Sequence, residues 1–136
     1  MRTFLSILIS LVIISCNQSP TGIERLPEIS QTDSVEILYF NEPDNDRYFT
    51  YLPTTDKKFI NSLVEDLSEH SVEEFECFKK GKIYMFSKGK IFNTVYFSHE
   101  QCDVLRFIHN GKVYYFKPSE ETKNLLKGMK SKAKAP

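Results

Sequence analysis

The sequence predicts an α+β domain: an N-terminal β-hairpin, a helix, an antiparallel β-meander of about five strands, and a C-terminal helix. Three observations carry this expectation. Short runs in which apolar and aromatic residues alternate with polar ones are separated by turn-forming residues, the period-two mark of half-buried strands. Two stretches, after Asp56 and after Ser119, show instead the three-to-four spacing of amphipathic helices. The connections between the later strand runs are only a few residues long, too short for the crossovers that parallel pairing needs.

Ahead of this domain, Arg2 precedes an unbroken stretch from Phe4 to Ile14 that is apolar apart from two serines, followed by Ser15 and Cys16. A membrane-spanning helix takes about twenty residues, so this stretch is too short to be one. A positive start, a short apolar core and a small residue before a cut point form the layout of a secretory signal peptide. Ile13, Ile14, Ser15 and Cys16 resemble the lipobox of bacterial lipoprotein precursors, with Ile13 where that family most often has leucine. By that resemblance Cys16 is the lipidation site. Its sulfur receives a diacylglyceryl group, residues 1–15 are removed, and the new amino terminus is acylated, with chains of the palmitate type. The implied first partner is membrane lipid, reached through acylated Cys16, and the implied location is the bacterial cell envelope. Asn17 stands where some lipoproteins carry an aspartate that retains them at the inner membrane, which points to the outer membrane. One acyl chain anchors only marginally, at about 0.8 kcal/mol per buried methylene, whereas a three-chain anchor holds effectively permanently.

Residues 16–34 then read as the lipidated cysteine and a flexible linker, with Pro20, Gly22 and Pro27 among small polar residues and no sustained period. Stretched out, such a linker reaches about 60 Å at about 3.4 Å per residue. Ile23, Leu26 and Ile29 offer the alternative that part of it packs on the domain as a short turn.

The domain proper is expected over residues 35–130. Residues 35–40 (VEILYF) and 48–52 (YFTYL) form the hairpin, joined by a turn containing Asn41, Pro43, Asp44, Asn45 and Asp46. The acids Glu42, Asp44 and Asp46 are ordered faintly like a calcium loop but lack its central glycine and closing glutamate, so a solvated turn is expected. Thr54, Thr55 and Asp56 are placed to cap a helix to about Ser68, with Phe59, Ile60, Leu63, Val64 and Leu67 on its core face. The meander follows in residues 72–78, 83–86, 91–97, 104–108 and 113–116. Asn110 and Gly111 both tolerate the positive φ of a two-residue type I′ turn, which sets Leu105 opposite Phe116 and Phe107 opposite Tyr114. One face therefore carries Leu105, Phe107, Tyr114 and Phe116, and the other Val104, Ile108, Val113 and Tyr115 with Arg106 and Lys117. Ser119 caps the last helix, with Leu125, Leu126 and Met129 inward, ending near Gly128. Residues 131–136 are a basic tail, expected to be disordered and solvated.

Removal of residues 1–15 takes away Arg2 alone among the charges, leaving one basic residue fewer than the 18 acidic ones. A balance this close to neutral gives no basic face, and no nucleic-acid partner is expected. Eleven Phe and seven Tyr, with no Trp, make aromatics the main source of buried area and also of adhesive surface.

Cys77 and Cys102 are candidates for a disulfide in an oxidising envelope. As members of strands separated by two others they would lie about 14 Å apart, so either the sheet reorders or the thiols stay free. The densest polar cluster runs from Ser98 through His99, Glu100, Gln101 and Cys102 to Asp103. A thiolate with His99 as its base would need an orienting group and an oxyanion hole, which no other stretch supplies. His70, Cys77 and His109 are scattered singly, so no metal site and no cofactor is expected. The reading that follows is a non-catalytic interaction module. Its candidate partner surface is Tyr84, Phe92, Tyr96, Val104, Ile108, Val113 and Tyr115, facing an unidentified envelope protein or glycan. Two alternatives remain, a carrier of a small apolar ligand with a closed apolar pocket, and a thiol-dependent enzyme using Cys102 and His99.

Overall fold

The computed structural model describes Thr21, Glu24, residues 26–74 and residues 76–136. The expected signal peptide, the lipobox, Cys16 and Asn17 lie outside the described residues, as do Ile23 and Phe75.

Alternation along the strands sends every second side chain to an apolar layer, and the strands assemble so that this layer is continuous. The strands β1 (Ser34–Glu42), β2 (Asn45–Thr54), β3 (Gly81–Ser87), β4 (Lys90–Ser98), β5 (Val104–His109) and β6 (Lys112–Phe116) form one antiparallel sheet in the order β2-β1-β3-β4-β5-β6. The hairpin β1–β2 thus joins the meander through β1 and β3. Val35, Ile37, Tyr39, Ile83, Met85, Val95, Phe97, Leu105, Phe107 and Phe116 line the covered face. Two helices close it, α1 (Lys57–Ser68) and α2 (Glu120–Lys130), contributing Phe59, Leu63, Leu67, Leu126 and Met129.

Both helices start where side chains satisfy otherwise orphaned N–H groups. Asp56 accepts from Phe59 N at 3.0 Å and Ser119 from Thr122 N at 3.2 Å. The helices are tied together by a buried polar clasp: Asp66 accepts from Ser119 N at 3.0 Å and Ser119 Oγ at 3.3 Å, while Ser62 and Thr122 hydroxyls meet at 2.7 Å. Tyr39, buried in the covered face, donates its hydroxyl to Leu126 O at 2.7 Å. That burial pushes its phenol far above the ordinary tyrosine range. Gly81 has no side chain because a Cβ there would collide with the Leu38 carbonyl oxygen and the Phe97 ring.

The α+β architecture and the register across Asn110–Gly111 are as expected, with both turn residues at positive φ, 51° and 75°. Four elements differ. The described residues of 72–78 form no strand, and the meander has four; among them only Val72 makes a bridge, to Tyr115 on the outer edge of β6. The reason is topological. After α1 the chain stands at the β6 edge and must reach β3, three strand spacings or about 14 Å away, so the described residues of this stretch cross the strands until Lys80, at the head of β3, pairs with Phe97 and Phe40. The hairpin turn shrinks to Pro43 and Asp44, Asp44 taking φ 59°. The linker is shorter than expected: Pro27–Gln31 form a 3-10 helix, Ile29 is fully buried in the core, Leu26 packs against it, and Thr21 bridges to His70. The C-terminal tail is no free end, because Lys134 exchanges two backbone hydrogen bonds with Tyr51, at 2.8 and 2.9 Å, and covers part of the β2 edge.

Candidate functional site: the open face of the sheet

The face opposite the helices is built from Glu36 and Leu38 on β1, Lys82, Tyr84 and Phe86 on β3, Thr94 and Tyr96 on β4, Val104, Arg106 and Ile108 on β5, and Val113 and Tyr115 on β6, by alternation from the observed register. Its two halves differ. The described residues of 72–80 lie as a strap across the half formed by the end of β4, the start of β5 and the end of β6. Arg106 Nη2 donates to Cys77 O at 3.0 Å, Ser98 Oγ to Phe78 O at 2.6 Å, and the Tyr115 hydroxyl to Glu74 Oε1 at 3.3 Å. Partial burial and the Glu74 carboxylate hold the Tyr115 phenol above its ordinary value. Beneath the strap, Val104 and Ser98 are buried although they point away from the helices.

The strap is fastened at two further points. Asp44 and Lys79 bond reciprocally, Asp44 N to Lys79 O at 2.9 Å and Lys79 N to Asp44 Oδ1 at 2.7 Å. A disulfide joins Cys77 to Cys102, with Cα atoms 6.2 Å apart. The separation of about 14 Å expected for cysteines on non-neighbouring strands does not arise, because Cys77 is carried on the strap and not within the sheet. A cleft of about 500 Å³ opens beside this bridge, lined among others by Glu76, Lys80, His99, Gln101 and Arg106.

The other half of the face is uncovered. Ile108 is 57% exposed, Ile91 54% and Val113 37%, and Tyr84 and Tyr96 are half-buried beside them. A shallow hollow of about 350 Å³ is lined by Ile91, Phe92, Asn93, Thr94, Tyr96 and Ile108. Cations frame the aromatic rings, Lys79 Nζ at 4.9 Å from the Tyr96 centroid and Lys82 Nζ at 5.2 Å from that of Tyr84. Lys82 is also paired with Asp46 at 3.6 Å.

Of the seven residues expected on this surface, Tyr84, Ile108 and Val113 share the uncovered half, and Tyr96 stands at its boundary, on the rung of Arg106 and Tyr115 with Lys79 of the strap over its ring and the hollow on its other side. Val104 and Tyr115 are on the same face but belong to the strapped half, Val104 fully buried. Phe92 departs because Met85 pairs with Asn93 and Phe86 with Ile91, leaving Phe92 as the extra residue of a bulge that turns it to pack against the core. Ile91 takes the outward position. Alternation alone could not have found this, since a one-residue bulge reverses the face of every residue beyond it.

The polar cluster around His99 divides. His99 stacks on Phe97 at 6.0 Å between centroids, with Nδ1 3.6 Å from Glu100 Oε1, and burial holds its imidazole below the ordinary histidine value. Cys102 is consumed in the disulfide, so in this state it is no nucleophile and the thiol-enzyme reading has no thiolate to work with. Among the described residues no three of His, Cys, Asp and Glu gather where they could hold a metal ion, and no helix is long and apolar enough to cross a membrane. The acids of the β1–β2 turn are engaged elsewhere, Asp44 with Lys79 and Asp46 with Lys82. No family model, no curated protein and no solved structure matches the chain.

Proposed function

We propose that this chain is an envelope lipoprotein anchored through acylated Cys16, whose domain holds a protein partner against the uncovered half of the open face and performs no catalysis. The observation that carries the docking reading is the exposed pair Ile108 and Val113 on β5 and β6, continued by Tyr84 on the same rung and by exposed Ile91 one rung further along. Branched aliphatic side chains at the centre of a patch gain most from desolvation by another apolar surface, and offer sugar hydroxyls nothing. A protein is therefore favoured over a glycan. The carrier alternative calls for an enclosed apolar cavity, whereas the space between sheet and helices is filled by the core cluster and the 500 Å³ cleft is open, with charged groups such as Glu76, Lys80 and Arg106 set among Phe78 and the disulfide.

The anchor sets the reach. Thr21 is already bridged to His70, so five residue steps separate the domain from Cys16, about 17 Å at about 3.4 Å each. The domain accordingly works close to its lipid surface, and its partner lies there too.

A photoreactive residue at position 108, introduced into the full chain in intact envelopes, tests the docking reading. A discrete protein adduct, lost when the probe is moved to buried Met85, is the expected result; adducts only with envelope glycan, or none, would overturn it. The anchor is tested separately by Cys16→Ser, which should abolish acylation and release the domain from the membrane fraction.

A further inference from the structure

The geometry points to a redox latch: the Cys77–Cys102 disulfide, at the edge of an open cleft, is a site of thiol–disulfide exchange with a dithiol reductant, and its reduction frees the strap of residues 72–80 from the sheet. Both cysteines are only partly buried, and both line the cleft of about 500 Å³, which gives a small thiol access to the sulfurs. The strap is fixed by points and not by area. None of its described residues belongs to the apolar core, Phe78 is 63% exposed, and ladder pairing begins only at its last residue, Lys80, whose N–H donates to Phe97 O at 2.9 Å and whose carbonyl accepts from Phe40 N at 2.9 Å. What holds the strap besides the bridge is a set of separate contacts, among them hydrogen bonds with Arg106, Ser98, Asp44 and Tyr115, Lys79 over the Tyr96 ring, and the backbone bonds of Lys80 at its end.

The exchange balances without any other reactant. A donor thiolate attacks the Cys102 sulfur and expels Cys77 as thiolate. The donor's second thiolate then attacks the donor sulfur of the mixed disulfide and expels Cys102. Two electrons and two protons pass from the dithiol, which ends as a disulfide, to the two cysteines. The Arg106 guanidinium, bonded to the Cys77 carbonyl, stands where it can stabilise the departing thiolate. Release of the strap uncovers Ser98 and Val104 and extends the exposed face from Ile108 towards the start of β5. The consequence for partner binding rests on the docking reading above, whereas release of the strap can be tested without it.

Hydrogen exchange followed by mass spectrometry on the mature chain, oxidised and after treatment with dithiothreitol, is the test. Amides such as those of Val72 and Lys79, bonded to Tyr115 O and Asp44 Oδ1 in the oxidised protein, should exchange at least about tenfold faster once Cys77 and Cys102 become alkylatable, while β1, β3 and both helices keep their protection. The double variant C77S/C102S should show the same pattern with no reductant. The latch is overturned by unchanged exchange in the strap after both thiols are labelled. It is equally overturned if protection falls together across β1, β3 and the helices, which would make the bridge a staple of the whole domain, or if the bridge resists dithiothreitol until the protein unfolds.

Discussion

Beneath the helices, Ile83, Met85, Val95 and Phe97 meet Phe59, Leu63 and Leu126 in an apolar layer; on the other side of the same strands, Lys82, Tyr84, Tyr96, Arg106 and Ile108 face outward, half of that face lying under a strap that owes its position to hydrogen bonds and one disulfide. The first closure is made by area. Its stabilisation grows with apolar surface removed from water, about 25 cal/mol per Å², and no single contact decides it. The second is made by points, each worth about 1 kcal/mol and dependent on geometry. A covering of the second kind can be undone locally while the first holds, and it leaves the neighbouring apolar row in contact with water.

Truncating adjacent residues that point to opposite faces should separate the two closures most strongly. Phe97, fully buried against Tyr39 at 5.8 Å between ring centroids, should cost about 3–5 kcal/mol as Phe97→Ala. Tyr96→Ala, one residue earlier on the outer face, should cost about 1 kcal/mol or less. Urea denaturation of the two variants measures the difference, and equal losses would mean that the open face contributes to stability as strongly as the core does.

Next in size is the polar clasp, which sits on the area-closed side but works by points. Asp66→Ala removes the acceptor of both Ser119 N–H and Ser119 Oγ at the start of α2 and should cost about 2–3 kcal/mol in the same assay. Asp66→Asn keeps one acceptor oxygen and should recover part of that loss. If both variants match the parent, α1 and α2 are held by their apolar contacts alone.

These contrasts bear on what the sequence could convey. Elements defined by local rules were legible: the apolar stripes of both helices, their Asp56 and Ser119 caps, and the Asn110–Gly111 turn with its register all depend on residues within a few positions of one another. Residues 72–78 misled because VEEFECF has strand-forming composition, while its path was dictated by a distant fact, the need to travel from the β6 edge to β3. The proximity of Cys77 to Cys102 follows from that path and from nothing local. Ile29 entered the core from a stretch whose prolines and small polar residues mark a linker, since one fully buried side chain leaves no periodic trace. For the candidate surface, alternation placed Tyr84, Tyr96, Ile108 and Val113 together, whereas the bulge at Phe92 and the strap over Val104 and Tyr115 lay beyond its reach.

A smaller effect should follow pH. His99 lies against Phe97 at the rim of the area-closed layer, and its pKa is lowered from 6.5 by burial first and then by the nearby cations Lys130 and Lys80, against the raising effect of Glu100. The folded state therefore binds this proton less tightly than the unfolded chain does. Stability is fully present above about pH 6.5 and is lost as pH falls from there through the folded-state pKa, by at most about 1.4 kcal/mol per pH unit. Melting curves at pH 7.5 and 5.5 should show a larger drop for the parent than for His99→Gln. An equal drop in both would place the acid sensitivity in other groups.

The smallest stability effect is expected where the functional effect is largest. Ile108 is 57% exposed and takes no part in the core cluster, so Ile108→Glu should change stability by no more than about 0.5 kcal/mol. The same substitution places a carboxylate at the rim of the hollow shared with Ile91 and Tyr96. A partner docking there must either desolvate that charge or withdraw, and an unpaired buried carboxylate costs several kcal/mol. Photocrosslinking from a neighbouring site, position 113 on β6, should therefore lose its protein adduct in the Ile108→Glu background while the melting temperature stays put. If the adduct persists, the partner does not contact the uncovered half. If stability falls with it, Ile108 belongs to the fold, and the two faces differ less than their exposure implies.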